Sequence, residues 1–148
     1  MKALFAILTI FSIPFLCDGQ TRSLRGKVIS ESDLSAMPEV KIQTGDKVVL
    51  GTTDVNGNFK IDIPTGTDEL MFVFIGMEIT NIKLPTDCSN LEVIMMVDAI
   101  YDYTSVNKIN KKRYSLFKKL PEKHHQAHQK GIFTSATPCF SYIFQKYK

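Results

Sequence analysis

Three groups of side chains in this 148-residue chain have types and spacings that could do chemistry. His124 and His128 stand four apart, so on a helix they share one face, as the ligands of zinc-binding helices do. A metalloprotease helix needs a Glu beside its first His, and here His125 and Gln126 occupy those places. Glu122 is the only carboxylate close in sequence, so the pattern favours an exposed polar helix face over a metal site. Asp54, Asn56 and Asn58 alternate around Gly57, which raises calcium. A helix–loop–helix calcium loop has Gly at its sixth position and Glu at its twelfth. Counted from Asp54, those places fall on Phe59 and Thr65. The same residues suit a hairpin better. Asp54 can accept backbone N–H groups across a turn, Gly57 can take a positive φ, and Phe59 can plug the core as the next strand begins.

The third group is Cys88 and Cys139, which lack the close spacing of structural zinc ligands. In an oxidising compartment they can form one bridge; otherwise they read as two small buried hydrophobes. The chain has no Gly-x-Ser-x-Gly elbow, no phosphate loop and no carboxylate pair with a reason for a raised pKa. The expectation is a protein without catalytic residues, cofactor or required metal.

The elements that must position these residues begin after a leader. Lys2 precedes an apolar run from Ala3 to Leu16, which is signal-peptide length and short of the roughly 20 residues a spanning helix needs. Cys17 and Gly19 flank Asp18 as small residues, so residues 1–19 read as a signal peptide and Gln20 as the mature start. A rival reading lipidates Cys17; the bulky Phe15 and Leu16 before it count against that. From Thr21 to Val97 the pattern is β-rich and punctuated by turns. Leu24, Gly26 and Val28 alternate with Arg25 and Lys27; Val40 and Ile42 alternate with Lys41 and Gln43; Phe59, Ile61 and Ile63 alternate with Lys60 and Asp62. Lys47–Thr53, Leu70–Ile75, Ile79–Leu84 and Leu91–Val97 complete seven strands. The continuous apolar run Leu70–Ile75 reads as a central strand buried on both faces or as one inside a sandwich. Seven short strands without intervening helices predict a mainly β fold, an antiparallel sandwich spanning residues 20–100.

These residues also carry a resemblance. Gly26-Lys27-Val28, Met37-Pro38-Glu39-Val40-Lys41-Ile42, the stretch Gly51 to Ile61 (GTTDVNGNFKI) and Phe72 to Met77 (FVFIGM) resemble the carboxypeptidase-regulatory-like domain. The resemblance covers about Thr21 to Asp98. It implies a seven-stranded Greek-key sandwich of the transthyretin-like kind. Such domains occur beside zinc carboxypeptidase domains, at the start of TonB-dependent receptors and in small exported proteins. The peptidase chemistry belongs to a separate catalytic domain, for which this chain has no room. Glu39 stands where a Gly is usual, Ser30 where an Asp is common and Met77 where an aromatic is usual.

Charge divides the chain. Gln20 to Ile100 holds 7 Lys and Arg against 12 Asp and Glu, while Tyr101 to Lys148 holds 10 against 2. The basic tail, residues 101–148, has helical spacing at Ile109, Leu116, Phe117 and Leu120, with Lys111, Lys112, Lys118 and Lys119 largely off that face. Pro121 can open a second helix that Gly131 ends, and Phe140 to Gln145 suits a last strand. The apolar faces need a cover, most simply the sandwich. The positive charge reads as a solvated face or as attraction to an anionic envelope surface; nucleic acid is not expected, since no recognition motif is present. The functional expectation is an exported, periplasmic or secreted, non-catalytic module that contacts an envelope protein or polysaccharide, with peripheral membrane contact through the tail. A glycan-binding module is the alternative, and a metal-binding accessory protein the third reading.

Overall fold

The structure, a computed structural model, describes residues 19–99 and 102–148. The expected leader up to Asp18 and the expected boundary at residues 100 and 101 lie outside the described residues. Two sheets face each other. One holds three strands in the order β4-β1-β7, with β1 Thr21–Ser30, β4 Asn58–Pro64 and β7 Asn90–Met95. The other holds five in the order β3-β2-β5-β6-β8, with β2 Lys41–Thr44, β3 Val49–Thr52, β5 Glu69–Val73, β6 Thr80–Lys83 and β8 Ser141–Ile143. This is the expected β-sandwich with a helical extension. The extension supplies α1 Val106–Phe117 and α2 Leu120–Gln129, and β8 closes the five-stranded sheet by pairing antiparallel with β6.

The alternation in sequence explains the inner faces. Phe59, Ile61 and Ile63 of β4 are buried while Asn58, Lys60, Asp62 and Pro64 are exposed. With Leu24, Val28, Ile42, Leu70, Phe72, Leu91 and Val93 they make the main core between the sheets. The Phe59 and Phe72 rings meet edge-on with centroids 5.9 Å apart.

One expectation needs correction, and another is decided between its two alternatives. The sandwich is not wholly antiparallel, because β1 and β7 run parallel, Val28 opposite Val93. A parallel neighbour needs a long crossover rather than a hairpin, and here the connection runs through β2, β3, β5 and β6 of the five-stranded sheet and through β4. Of the two readings of Leu70–Ile75 the strand inside the sandwich holds, with Leu70 and Phe72 in the main core, and the strand buried on both faces is β7. In β5 Met71 and Val73 are only half-buried, and Ile75 beyond it is 95% exposed. β7 instead sends Leu91, Val93 and Met95 into the main core and Glu92 and Ile94 to the opposite face, all buried.

That opposite face is where the tail packs. Ile29, Leu34, Ile94 and Met96 join Leu120, Ala127 and Phe133 in a second core, with Leu116 and Phe117 against it. Burying side chains such as Leu120 and Phe133 contributes about 1.5–3 kcal/mol each, enough to fix the tail without charge. The helix breaks at Lys118–Lys119 because Pro121 has no N–H and its ring would strike the carbonyl of Phe117. Gly131, at φ 70°, turns the chain away after α2. Cys88, ahead of β7, is joined by a disulfide to Cys139, ahead of β8, with Cα atoms 5.5 Å apart.

Candidate functional site

The Asp54 motif forms the corner that carries the chain from one sheet to the other. Asp54 Oδ1 accepts the backbone N–H groups of Asn56 at 2.9 Å and Asn58 at 2.8 Å. Gly57 has φ 74°, and a Cβ there would lie 2.5 Å from the Val28 carbonyl oxygen. The carboxylate is thus turned onto its own loop, and the geometry is that of a turn rather than a cation site. Among the described residues no cluster of His, Cys, Asp and Glu could hold a metal ion.

The histidines do not lie together on an exposed face. His124 is fully buried, His128 half-buried and His125 exposed. α2 turns His124 inward onto the Phe133 ring, centroids 4.7 Å apart, and its Nε2 lies 3.1 Å from the Ser135 carbonyl oxygen. Nε2 is the donor there, which leaves Nδ1 buried and without a partner. Beside it Glu92 of β7 accepts from the N–H and hydroxyl of Thr134 and from the N–H of Ser135, the last at 3.1 Å. The Glu92 carboxylate is 3.8 Å from His124 Nε2. Burial pulls the His124 pKa below its ordinary value, outweighing the opposing pull of Glu92; His128 adds to the lowering. The pair anchors the loop after α2 to β7.

A third cluster lies where α1 meets the last residues of the chain. Arg113 Nε donates to Glu78 Oε1 at 2.6 Å and its second terminal nitrogen to Oε2 at 2.9 Å, both side chains about 5% exposed. The remaining terminal nitrogen donates to the Gln145 carbonyl at 2.8 Å and to Asn110 Oδ1 at 3.2 Å. The guanidinium lies 3.8 Å from the Tyr147 ring centroid and 5.3 Å from that of Phe144. Asn110 also accepts from the Tyr147 N–H at 2.8 Å and donates to its carbonyl at 3.0 Å. Tyr142, on β8, accepts the Ile94 N–H of β7 at 2.8 Å, and burial drives its phenol pKa well upward.

These bonds hold residues 144–147 against α1 and leave a groove of about 470 Å³ between them. Asn107, Asn110, Lys111, Tyr114, Phe144 and Lys146 line it. Tyr114 is 47% exposed, its ring meets Phe144 edge-on with centroids 5.1 Å apart, and Lys118 Nζ lies 5.3 Å from its centroid. The groove is basic, aromatic and free of carboxylates.

Residues 24–107, more than half of the chain, match the family model described as the CarboxypepD_reg-like domain. The chain belongs to this family. CarboxypepD_reg-like domains are regulatory, non-catalytic modules, in keeping with the resemblance carried by Gly26, Asp54, Gly57 and Phe59. No curated protein matches the chain. Among solved structures, a cryo-EM structure of the E. coli P pilus tip assembly intermediate PapC-PapD-PapK-PapG is similar at 14% identity and a TM-score of 0.40. That likeness covers 62% of this chain and 11% of the other. The CarboxypepD_reg-like match ends inside α1, so the tail's share of the second core (Leu120, Ala127 and Phe133), His124 and five of the six groove residues lie beyond it.

Sequence reasoning missed Glu78, Glu92, Asn110 and Arg113. Two of them leave a trace: Glu92 interrupts the apolar run LEVIMMV, and Arg113 falls on the same helical stripe as Ile109, Leu116 and Leu120. A charge on an otherwise apolar face signals a buried partner.

Proposed function

We propose that this protein is an exported, non-catalytic adaptor that presents its basic tail to an anionic component of the cell envelope, protein or polysaccharide. One observation carries the reading: the tail is not a loose arm. Its apolar side is buried in the second core, so Lys108, Lys111, Lys118, Lys119 and Lys130 are exposed on a rigid frame. Fixing cations on a frame removes the ordering cost that a flexible basic tail must meet on binding. Export is supported by the leader pattern before Gln20 and by the Cys88–Cys139 bridge, which persists in oxidising compartments. Among the described residues no helix is long and apolar enough to cross a membrane.

The test is co-sedimentation of the mature chain with envelope fractions at low and high salt. Retention that falls steeply with salt, and that the quadruple charge reversal K108E/K111E/K118E/K119E abolishes, supports the reading. Retention indifferent to both overturns it.

A further inference from the structure

The groove between α1 and residues 144–147 has the composition of a small-ligand site. We propose that it binds the anionic sugar units of an acidic polysaccharide, one carboxylated ring lying against Tyr114 with its charge between Lys111 and Lys146. The inference rests on the envelope-binding reading and names the ligand of part of the same basic surface.

Charge selects the ligand's sign. Lys111 and Lys146 are exposed, neither is ion-paired among the described residues, and no acid lines the groove. The contrast within the molecule is sharp: a depression between the β2–β3 and β4–β5 turns carries Asp46, Asp68 and Glu69 and no cation. Ring chemistry selects the ligand's shape. Tyr114 and Phe144 offer aromatic surface, whose electron-rich faces attract the weakly positive C–H groups of a pyranose. The Asn107 amide is exposed beside them and can reach hydroxyls. An acyl chain would find lysines and amides here, and a bare phosphate would make no use of the rings.

The walls are also preorganised. Asn110 holds the backbone of Tyr147 at two points and Arg113 holds that of Gln145, in a segment beyond β8. Those bonds fix the spacing between Tyr114 and Lys146 before a ligand arrives, and a site ordered in advance binds more tightly.

The experiment titrates the full mature chain with a galacturonate hexamer and with a neutral galactose hexamer, followed by calorimetry and Tyr fluorescence. Binding of the acidic hexamer alone is expected, weakened at least roughly tenfold by Tyr114→Ala, as for a central aromatic contact. Lys41→Ala and Lys60→Ala, exposed on the sandwich and outside both the tail and the groove, should change it less than about twofold, as expected of peripheral charges. If Tyr114→Ala lowers the melting midpoint, the exposed pair K111E/K146E carries the same test. Equal losses from the groove and the outlying lysines mean diffuse attraction; they overturn the groove and leave the envelope reading standing. So does no binding of the hexamer alongside normal retention by envelope fractions. Tyr114-dependent binding to phosphatidylglycerol vesicles with none to the hexamer overturns the sugar as occupant.

Discussion

Arg113 of α1 closes a two-point ion pair on Glu78, which lies between β5 and β6, and the pair is almost wholly removed from water. It joins the tail to the five-stranded sheet, while the second core joins it to the three-stranded one. The two contacts differ in kind: apolar burial supplies net energy, and the ion pair supplies a fixed register at little net gain.

Removing one partner of such a pair strands the other charge in the interior. Glu78→Ala or Arg113→Ala should each cost about 3–5 kcal/mol in chemical denaturation. The double variant Glu78→Leu/Arg113→Met should lose far less than the sum. Additive losses would mean that the pair is solvated in solution.

Glu39 sits at φ 58°, in the left-handed region where a side chain is strained, while its N–H still reaches the Thr53 carbonyl at 3.0 Å. Its side chain is exposed and makes no bond that glycine would lose among the described residues. Glu39→Gly should therefore stabilise by about 0.5–1 kcal/mol, relief of strain exceeding the extra freedom gained by the unfolded chain. Gly57→Ala is the opposite case, since both its φ and the approach of the Val28 carbonyl oppose a Cβ. It should destabilise by more than 1 kcal/mol or so. Melting midpoints moving the same way in the two variants would refute the account.

What could be read from the sequence was local. The alternation around Phe59, Ile61 and Ile63 gives β4. Pro121 and Gly131 bracket α2, and Phe140 to Gln145 holds β8. What could not be read depends on partners far along the chain. Glu78 and Arg113 are 35 residues apart, and Glu92 and Thr134 are 42 apart. His124 illustrates the limit. On a helix rich in Lys, Gln and His it reads as solvent-facing, until Glu92 and Phe133 arrive from elsewhere to meet it. The parallel pairing of β1 and β7 is equally invisible, because both directions present the same alternation.

The disulfide closes 51 residues that include all of α1 and α2. Such a loop is worth about 2–4 kcal/mol, chiefly through the entropy it removes from the unfolded chain. Cys88→Ser/Cys139→Ser should lower the unfolding free energy by that amount. The native tail should remain docked, because Leu120, Ala127 and Phe133 are unaffected. Limited proteolysis decides: rapid cutting of the variant within residues 106–130 while the sandwich survives would show that the bridge, and not the second core, holds the tail.

Acid should loosen the tail through His124. Its folded-state pKa lies below the ordinary 6.5 because burial disfavours the imidazolium, so the unfolded chain takes up a proton more readily than the folded one. The stability contributed by the neutral ring is therefore fully present above pH 6.5 or so, and it is lost as pH falls through that value toward the folded pKa. Glu92 limits the loss by attracting the imidazolium and His128 increases it; these are the charged or titratable groups acting on the ring. Nδ1 has no acceptor in place, so a second N–H there would be stranded as well. The melting midpoint should fall between about pH 7 and pH 5, with the loop after α2 gaining hydrogen exchange first. His124→Gln keeps a donor for the Ser135 carbonyl but does not titrate; it should start less stable, from imperfect packing against Phe133, and show a flatter pH profile over this range. A variant profile as steep as that of the unmodified chain would assign the acid sensitivity to the carboxylates instead.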